Sequence, residues 1–286
     1  MSAVTRPGFA PAQGGPAPAP MTPAPATVAG PVTQVRVIRA EWTKLRALRS
    51  TRWSALSAIA LIVGLGAIIG GSGTPYKISG SNTAAVGIST ALLGVLFAQL
   101  VVGLVGVLGF SGEYGTGMIR ATLAVVPSRL PVLWAKVIVL ASLVLPVSML
   151  CAFLDYFTAT AIASSRGGSA FSLSDPGVLR TVVGSSLYLT VVVIIALALG
   201  ALLRKTAAGL SVFAAVFFVI PIFVPLLPPN ITGFASYLPS NAGGALWGDP
   251  QTTAHALSPW TGFACLCGYA IVLTALAAWQ LRRRDA

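Results

Sequence analysis

Side chains capable of acid–base, nucleophilic or metal chemistry are few in this chain, and their spacing builds no reaction centre. Six carboxylates, one histidine and three cysteines are spread over 286 residues. Asp155 is the one carboxylate inside a long apolar segment, and a lone acid in such a place is a candidate proton acceptor or partner for a cation. It follows Lys136 by 19 residues, roughly 28 Å along a helix. That predicts a solvated position near the far rim, within reach of an ion pair with Arg166 or Arg180. Cys265 and Cys267 form a C-x-C pair, but two residues turn a helix through about 200°. With no histidine or carboxylate beside them, no metal site is predicted, and with Cys151 they read as small buried hydrophobes. His255, the sole histidine, reads as a surface loop residue, and Asn230-Ile231-Thr232 matches a glycosylation acceptor. The sequence holds no G-x-x-x-x-G-K-[ST] phosphate cradle, no dinucleotide glycine pattern and no H-E-x-x-H. Paired intramembrane carboxylates and a Cys/His nucleophile arrangement are also missing. No catalytic, cofactor-binding or metal-ligating residue is predicted, and the chain is expected not to be an enzyme. An ion-coupled carrier needs ionisable groups near the bilayer midplane, so any transport here would draw its energy from elsewhere.

The elements that must position these residues are membrane spans. The chain is 56% hydrophobic and 8% charged, against about 25% charge in a soluble domain. Six apolar segments, 53–71, 84–110, 136–163, 178–203, 206–227 and 260–281, are long enough, or nearly so, to cross about 30 Å of hydrocarbon. Fourteen basic residues flank them on alternate sides, against Lys77, Arg166 and Arg180 in the other connections. Basic residues favour the cytoplasmic face. The prediction is an all-α integral membrane protein with six transmembrane helices and both termini cytoplasmic. The net charge of +12 is then a set of topology anchors touching anionic lipid. No soluble domain remains to carry a nucleic-acid site.

Residues 1–31, rich in Pro and Ala, read as a disordered cytoplasmic tail with no signal peptide, and 32–286 as the six-span domain. At 100° per residue, Val35, Ile38, Trp42, Leu45 and Leu48 share one arc, predicting an amphipathic helix in the cytoplasmic interface. Arg49 and Arg52 rotate back onto that arc and would snorkel to phosphates. Gly103, Gly106, Gly109 and Gly112 recur every third residue, which predicts close helix packing, within the bundle or against a second copy. Arg204-Lys205 divides 178–227 into two antiparallel spans, and Pro221 and Pro225 make the outer part of the second irregular. Residues 228–259 form the largest outer connection, a candidate re-entrant lid. The cytoplasmic connection 111–136 carries a short helix over 118–125, which Pro127 ends; such a loop suits docking by a soluble partner.

Three stretches carry a resemblance. A-E-W-T-K-L-R-A-L-R-S-T-R-W (40–53), G-E-Y-G-T-G-M-I-R-A-T-L-A-V-V-P-S-R-L-P-V-L-W-A-K (112–136) and L-P-S-N-A-G-G-A-L-W (238–247) look like segments of the permease subunits of type-2 ATP-binding-cassette exporters, actinobacterial ones in particular. The first resembles the connecting helix before span one, the second the loop after span two, the third the external segment before span six. The resemblance implies a plasma-membrane protein that pairs with a second permease copy or a paralogue around a substrate pathway, with separate ATP-binding subunits docked below. It implies that Met118 and Ile119 open a coupling helix, while Glu113, Arg120, Arg129 and Lys136 orient it or bind its neighbours. The residues themselves leave a second reading open, a membrane scaffold that recruits a cytoplasmic partner and moves nothing.

Overall fold

The computed structural model describes residues 33–47, 49–71, 87–89, 91–115, 117–118, 129–165, 171–226, 228, 232–248 and 257–283. The tail over 1–31, most of the predicted coupling helix, the 230–232 acceptor and His255 lie wholly or largely outside these residues.

Eight helices carry the fold, and no strand occurs among the described residues. They are α1 (Gln34–Ala47), α2 (Arg49–Gly71), α3 (Gly94–Gly115), α4 (Arg129–Ser165), α5 (Val178–Leu203), α6 (Thr206–Ala214), α7 (Pro239–Trp247) and α8 (Pro259–Arg283). Helix α6 runs on through a π turn, Ala215–Val219, an α turn, Ile220–Phe223, and a 3-10 turn, Val224–Leu226. Among the described residues, five helices are long and apolar enough to cross a membrane: α3, α4, α5, α6 with its continuation, and α8. They mark the chain as a multi-pass, membrane-embedded protein. Helix α2 spans 23 residues, with its apolar stretch over Ile59–Ile68.

Helix α5 is the hub. Eighteen of its 26 residues are buried, and α3, α4, α6, α7 and α8 all pack on it. An apolar helix buried all round belongs at the centre of a bundle. The glycine row of α3 settles its own packing question within this bundle. A Cβ on Gly106 would fall 2.6 Å from Ala196 Cβ and 2.7 Å from the Val193 carbonyl oxygen, both on α5. Gly103 faces the ring of Phe213 on α6, whereas Gly112 faces nothing within 4 Å. Facing outward are large apolar side chains that suit lipid contact. On α8 these include Trp260 and Trp279, about 28 Å apart along the helix, at the spacing expected of two interfacial aromatics.

Three boundaries differ from the sequence expectation. The span placed at 84–110 begins at Gly94, because the chain turns at Leu92–Leu93, where the Val95 N–H donates to the Leu92 carbonyl at 2.9 Å; it then runs to Gly115. The span placed at 136–163 extends back to Arg129, since Pro131 sits in the first helical turn, where a missing amide leaves no bond unmade. This helix of 37 residues also contains Pro146, which deprives the Ser142 carbonyl of its helical donor. Irregularity in the fifth span does appear. Ahead of Pro221 the helix widens, and the Ile220 N–H donates to the Ala215 carbonyl, five residues back.

The two-residue connection at Arg204-Lys205 is as tight as the sequence suggests. Arg204 adopts the left-handed conformation, φ 54°, and its N–H closes on the Gly200 carbonyl. Helix α7, inside the predicted 228–259 lid, is no loose flap. Leu246 and Trp247 are buried, Gly243 meets the Tyr188 ring of α5, and Gly262 of α8 meets the Ala242 carbonyl.

Candidate functional site

Four charged side chains meet where α1 lies across the last turn of α3 and the early turns of α4. Val37, Glu41 and Lys44 recur at helical spacing, so they share one face of α1. Val37 packs with Val132 and Ala135 of α4, and Gln34 Nε2 donates to the Pro131 carbonyl at 3.1 Å. That contact delivers Glu41 to the Lys136 ammonium, which donates to Glu41 Oε2 at 2.7 Å and to Glu113 Oε1 at 2.8 Å. Lys44 donates to Glu41 Oε1 at 2.7 Å and to Glu113 Oε1 at 3.1 Å. Two carboxylates and two ammoniums thus form a closed, charge-neutral ring that joins three helices. Glu41, Glu113 and Lys136 are buried, so each needs the others. A buried charge without a partner is costly, and a mutually bonded set removes most of that penalty.

Neighbouring groups widen the site. The guanidinium of Arg204, at the α5–α6 turn, lies over the Tyr114 ring at 5.3 Å, and its Nε and Nη2 are shut from solvent without a hydrogen-bond acceptor. Ser111 and Thr206 share a hydrogen bond at 3.0 Å. Glu113 Oε2 is likewise buried and unbonded. The site therefore holds a spare acceptor and a spare donor beside a satisfied ring.

Of the residues singled out from sequence, Glu113 and Lys136 are brought together here. Met118 is half-exposed, following Gly117, whose positive φ of 71° ends α3 in a conformation that glycine adopts freely. Arg129 opens α4; its side chain, and Ile119 and Arg120 entirely, lie outside the described residues. Helix α1 turns a mixed face to the bundle. Its buried residues are Val37 and Glu41, while Ile38, Trp42 and Leu45 are half-buried and Val35 is 57% exposed; Leu48 lies outside the described residues. The ring of ion pairs sets which side faces the bundle, and the apolar arc is rotated toward the outside. Glu41 and Lys44 were missed. Glu41 is the only acid within the basic run 36–52, and its placement a helical turn before Lys44 was the available signal.

Asp155 also departs from expectation. It is fully buried, not solvated at a rim, and neither carboxyl oxygen has a hydrogen-bond partner. Arg180 leaves its Nε unbonded, and Arg166 lies outside the described residues. No group of three or more His, Cys, Asp or Glu capable of holding a metal occurs among the described residues.

Burial works to lower the Lys44 pKa, but its hydrogen bond and charge pairing with Glu41, aided by Glu113, hold it above the ordinary lysine value. A raised native pKa means that the stability from Lys44 is fully present below the unfolded value, about 10.4, and is lost as pH climbs through the native one. Wild type and Lys44→Met should therefore differ in thermal midpoint at neutral pH and converge in strong alkali; a constant gap would deny Lys44 a part in the ring. No protein-family model matches the chain, and no curated protein matches it.

Proposed function

We propose that this chain is the permease subunit of an ATP-driven exporter of the ATP-binding-cassette class, acting as one of a pair and coupled to a separate ATPase through residues 111–136. One observation carries the reading. The connection between α3 and α4 is pinned at both ends by a single ion pair, Glu113 to Lys136, and the same ring ties in α1 through Glu41 and Lys44. A force applied to that connection from below would reach three membrane-associated helices together. The half-buried guanidinium of Arg204, over the Tyr114 ring, adds a cation beside the connection, which suits an acidic partner surface. In this scheme both termini and the 111–136 connection are cytoplasmic, six crossings include α2, and the membrane is the plasma membrane. The partner chain hydrolyses ATP; this chain binds no cofactor and does no covalent chemistry.

The experiment is reconstitution with a Walker-motif ATPase that co-purifies with the chain. Arg120→Glu should leave insertion and ATPase activity intact while transport falls by tenfold or more, on the order of 1.4 kcal/mol of lost coupling. Normal transport by that variant would remove the coupling role from the connection. A stable complex in which neither chain supports any ATP-dependent flux would favour the recruiting scaffold instead.

A further inference from the structure

Asp155 sits in α4 with its carboxyl group directed into a notch on α2 made by Gly66. A methyl group added to Gly66 would overlap the Asp155 carboxyl. The carboxyl thus fills the space that a side chain would otherwise take. It is fully buried, and neither oxygen is hydrogen-bonded. Ile62, one turn before Gly66, and Ala152 and Ala159, on either side of Asp155, are buried in the same apolar core.

A carboxylate in such surroundings calls for an electropositive partner, which the described residues do not supply. The titratable groups on the neighbouring elements do not provide one. Helix α2 offers only Arg49 and Arg52, at its far end. Helix α3 offers Glu113, committed to the lysine ring, and Tyr114, beneath Arg204. On α5 the Tyr188 hydroxyl is given to Gln99, and Arg180 makes no bond to Asp155. On α4 itself Tyr156 donates to the Phe171 carbonyl, leaving the Cys151 thiol one turn away. The cysteines and Tyr269 of α8 make no hydrogen bond to the carboxyl, and its arginines stand at its C-terminal end. Helix α1 packs near the other end of α4, where Glu41 and Lys44 belong to the ring and Arg46 lies over Trp42. A metal ion would need several ligands, which this site lacks, and the filled notch has no room for an organic cation. Among the described residues nothing else meets the carboxyl, and a proton fits it.

We propose that Asp155 is a proton-binding site at the seam between α2 and α4, neutral while the two helices are packed and ionised when they part. On separation, water enters and accepts the carboxyl proton as hydronium, and the carboxylate left behind is stabilised by hydration. Reclosure requires the reverse transfer, so opening of the seam is coupled to release of one proton. This inference is independent of the exporter reading and holds for any membrane protein built this way.

The test uses the full-length chain in lipid nanodiscs. Infrared difference spectra across a pH titration should contain a protonated-carboxyl stretch that shifts on deuteration and is missing in Asp155→Asn, a neutral isostere. Hydrogen exchange of the α2 amides, taken as the ratio of wild type to Asp155→Asn, should be near unity in acid. It should rise by up to about tenfold per pH unit once the carboxyl titrates. A spectrum showing Asp155 ionised at neutral pH while α2 stays protected, or a ratio flat with pH, would overturn the proposal. Should Asp155→Asn fail to fold, a band present at neutral pH that survives Glu41→Gln, Glu113→Gln, Asp175→Asn, Asp249→Asn and Asp285→Asn, each made singly, supports the proposal, because these are the other side-chain carboxyls of the chain; its absence from the wild type, or its loss in one of those variants, would overturn it.

Discussion

Lys136→Met should lower the unfolding free energy by about 3–5 kcal/mol, the range found when one member of a buried ion pair is removed. Among the described residues the ammonium of Lys136 is the only one that bonds Glu41 Oε2, and it shares Glu113 Oε1 with Lys44. Without it, two buried carboxylates depend on Lys44 alone, whose side chain is 32% exposed, and one negative charge is left uncompensated. Unfolding in mixed micelles, followed by far-UV circular dichroism, would measure the loss. Adding Glu41→Gln to Lys136→Met should recover much of it, because the charge count then balances again. High salt should change the result little, since a dry pair is poorly screened. A loss under about 1 kcal/mol would place the ring in the regime of surface ion pairs.

Gly106→Leu should be comparably damaging, costing about 3 kcal/mol, with Gly112 as its internal control. The Gly106 site abuts backbone and a Cβ of α5, neither of which can rotate aside. Accommodating a side chain means moving α3 away from the most buried helix in the bundle. Gly112, six residues on, has open space around its Cα. Alanine there should be neutral or stabilising by up to about 1 kcal/mol, from helix propensity alone. The thermal midpoint in detergent should fall for Gly106→Leu and hold or rise for Gly112→Ala; equal damage at both positions would mean that α3 packs in some other rotation.

Five of the six predicted spans fall on helices long and apolar enough to cross a membrane, legible because apolar length is a property of composition, and the boundaries at 178–203 and around Arg204-Lys205 needed only a pair of charges in a long apolar run. The start of α3 was not legible, since the turn at Leu92–Leu93 is as apolar as the helix it precedes and carries no Gly or Pro before Gly94. In the sequence Lys136, a charge beside a long apolar run, marks the border of the third span, while Pro131 ahead of it is a residue that opens helices. The Lys136 charge is met by Glu41 and Glu113, so it is accommodated inside the helix. Glu113 and Lys136 were singled out, but the ring was not, because a pairing between residues 95 positions apart leaves no local trace. The same blindness put Asp155 at a rim. Distance along one helix says nothing of which neighbour that side chain faces, and here the answer depended on a single glycine in α2.

Pro146 gives α4 a joint near its midpoint. With the Ser142 carbonyl deprived of its donor, bending there strains fewer bonds than anywhere else along the rod. One arm of the rod, 129–145, is bolted to α1 and α3 by Lys136; the other, 147–165, bears Asp155 against α2. Traction on the first arm can flex the rod without prising the second away from its neighbour, which leaves the two arms mechanically insulated and each free to answer a different signal.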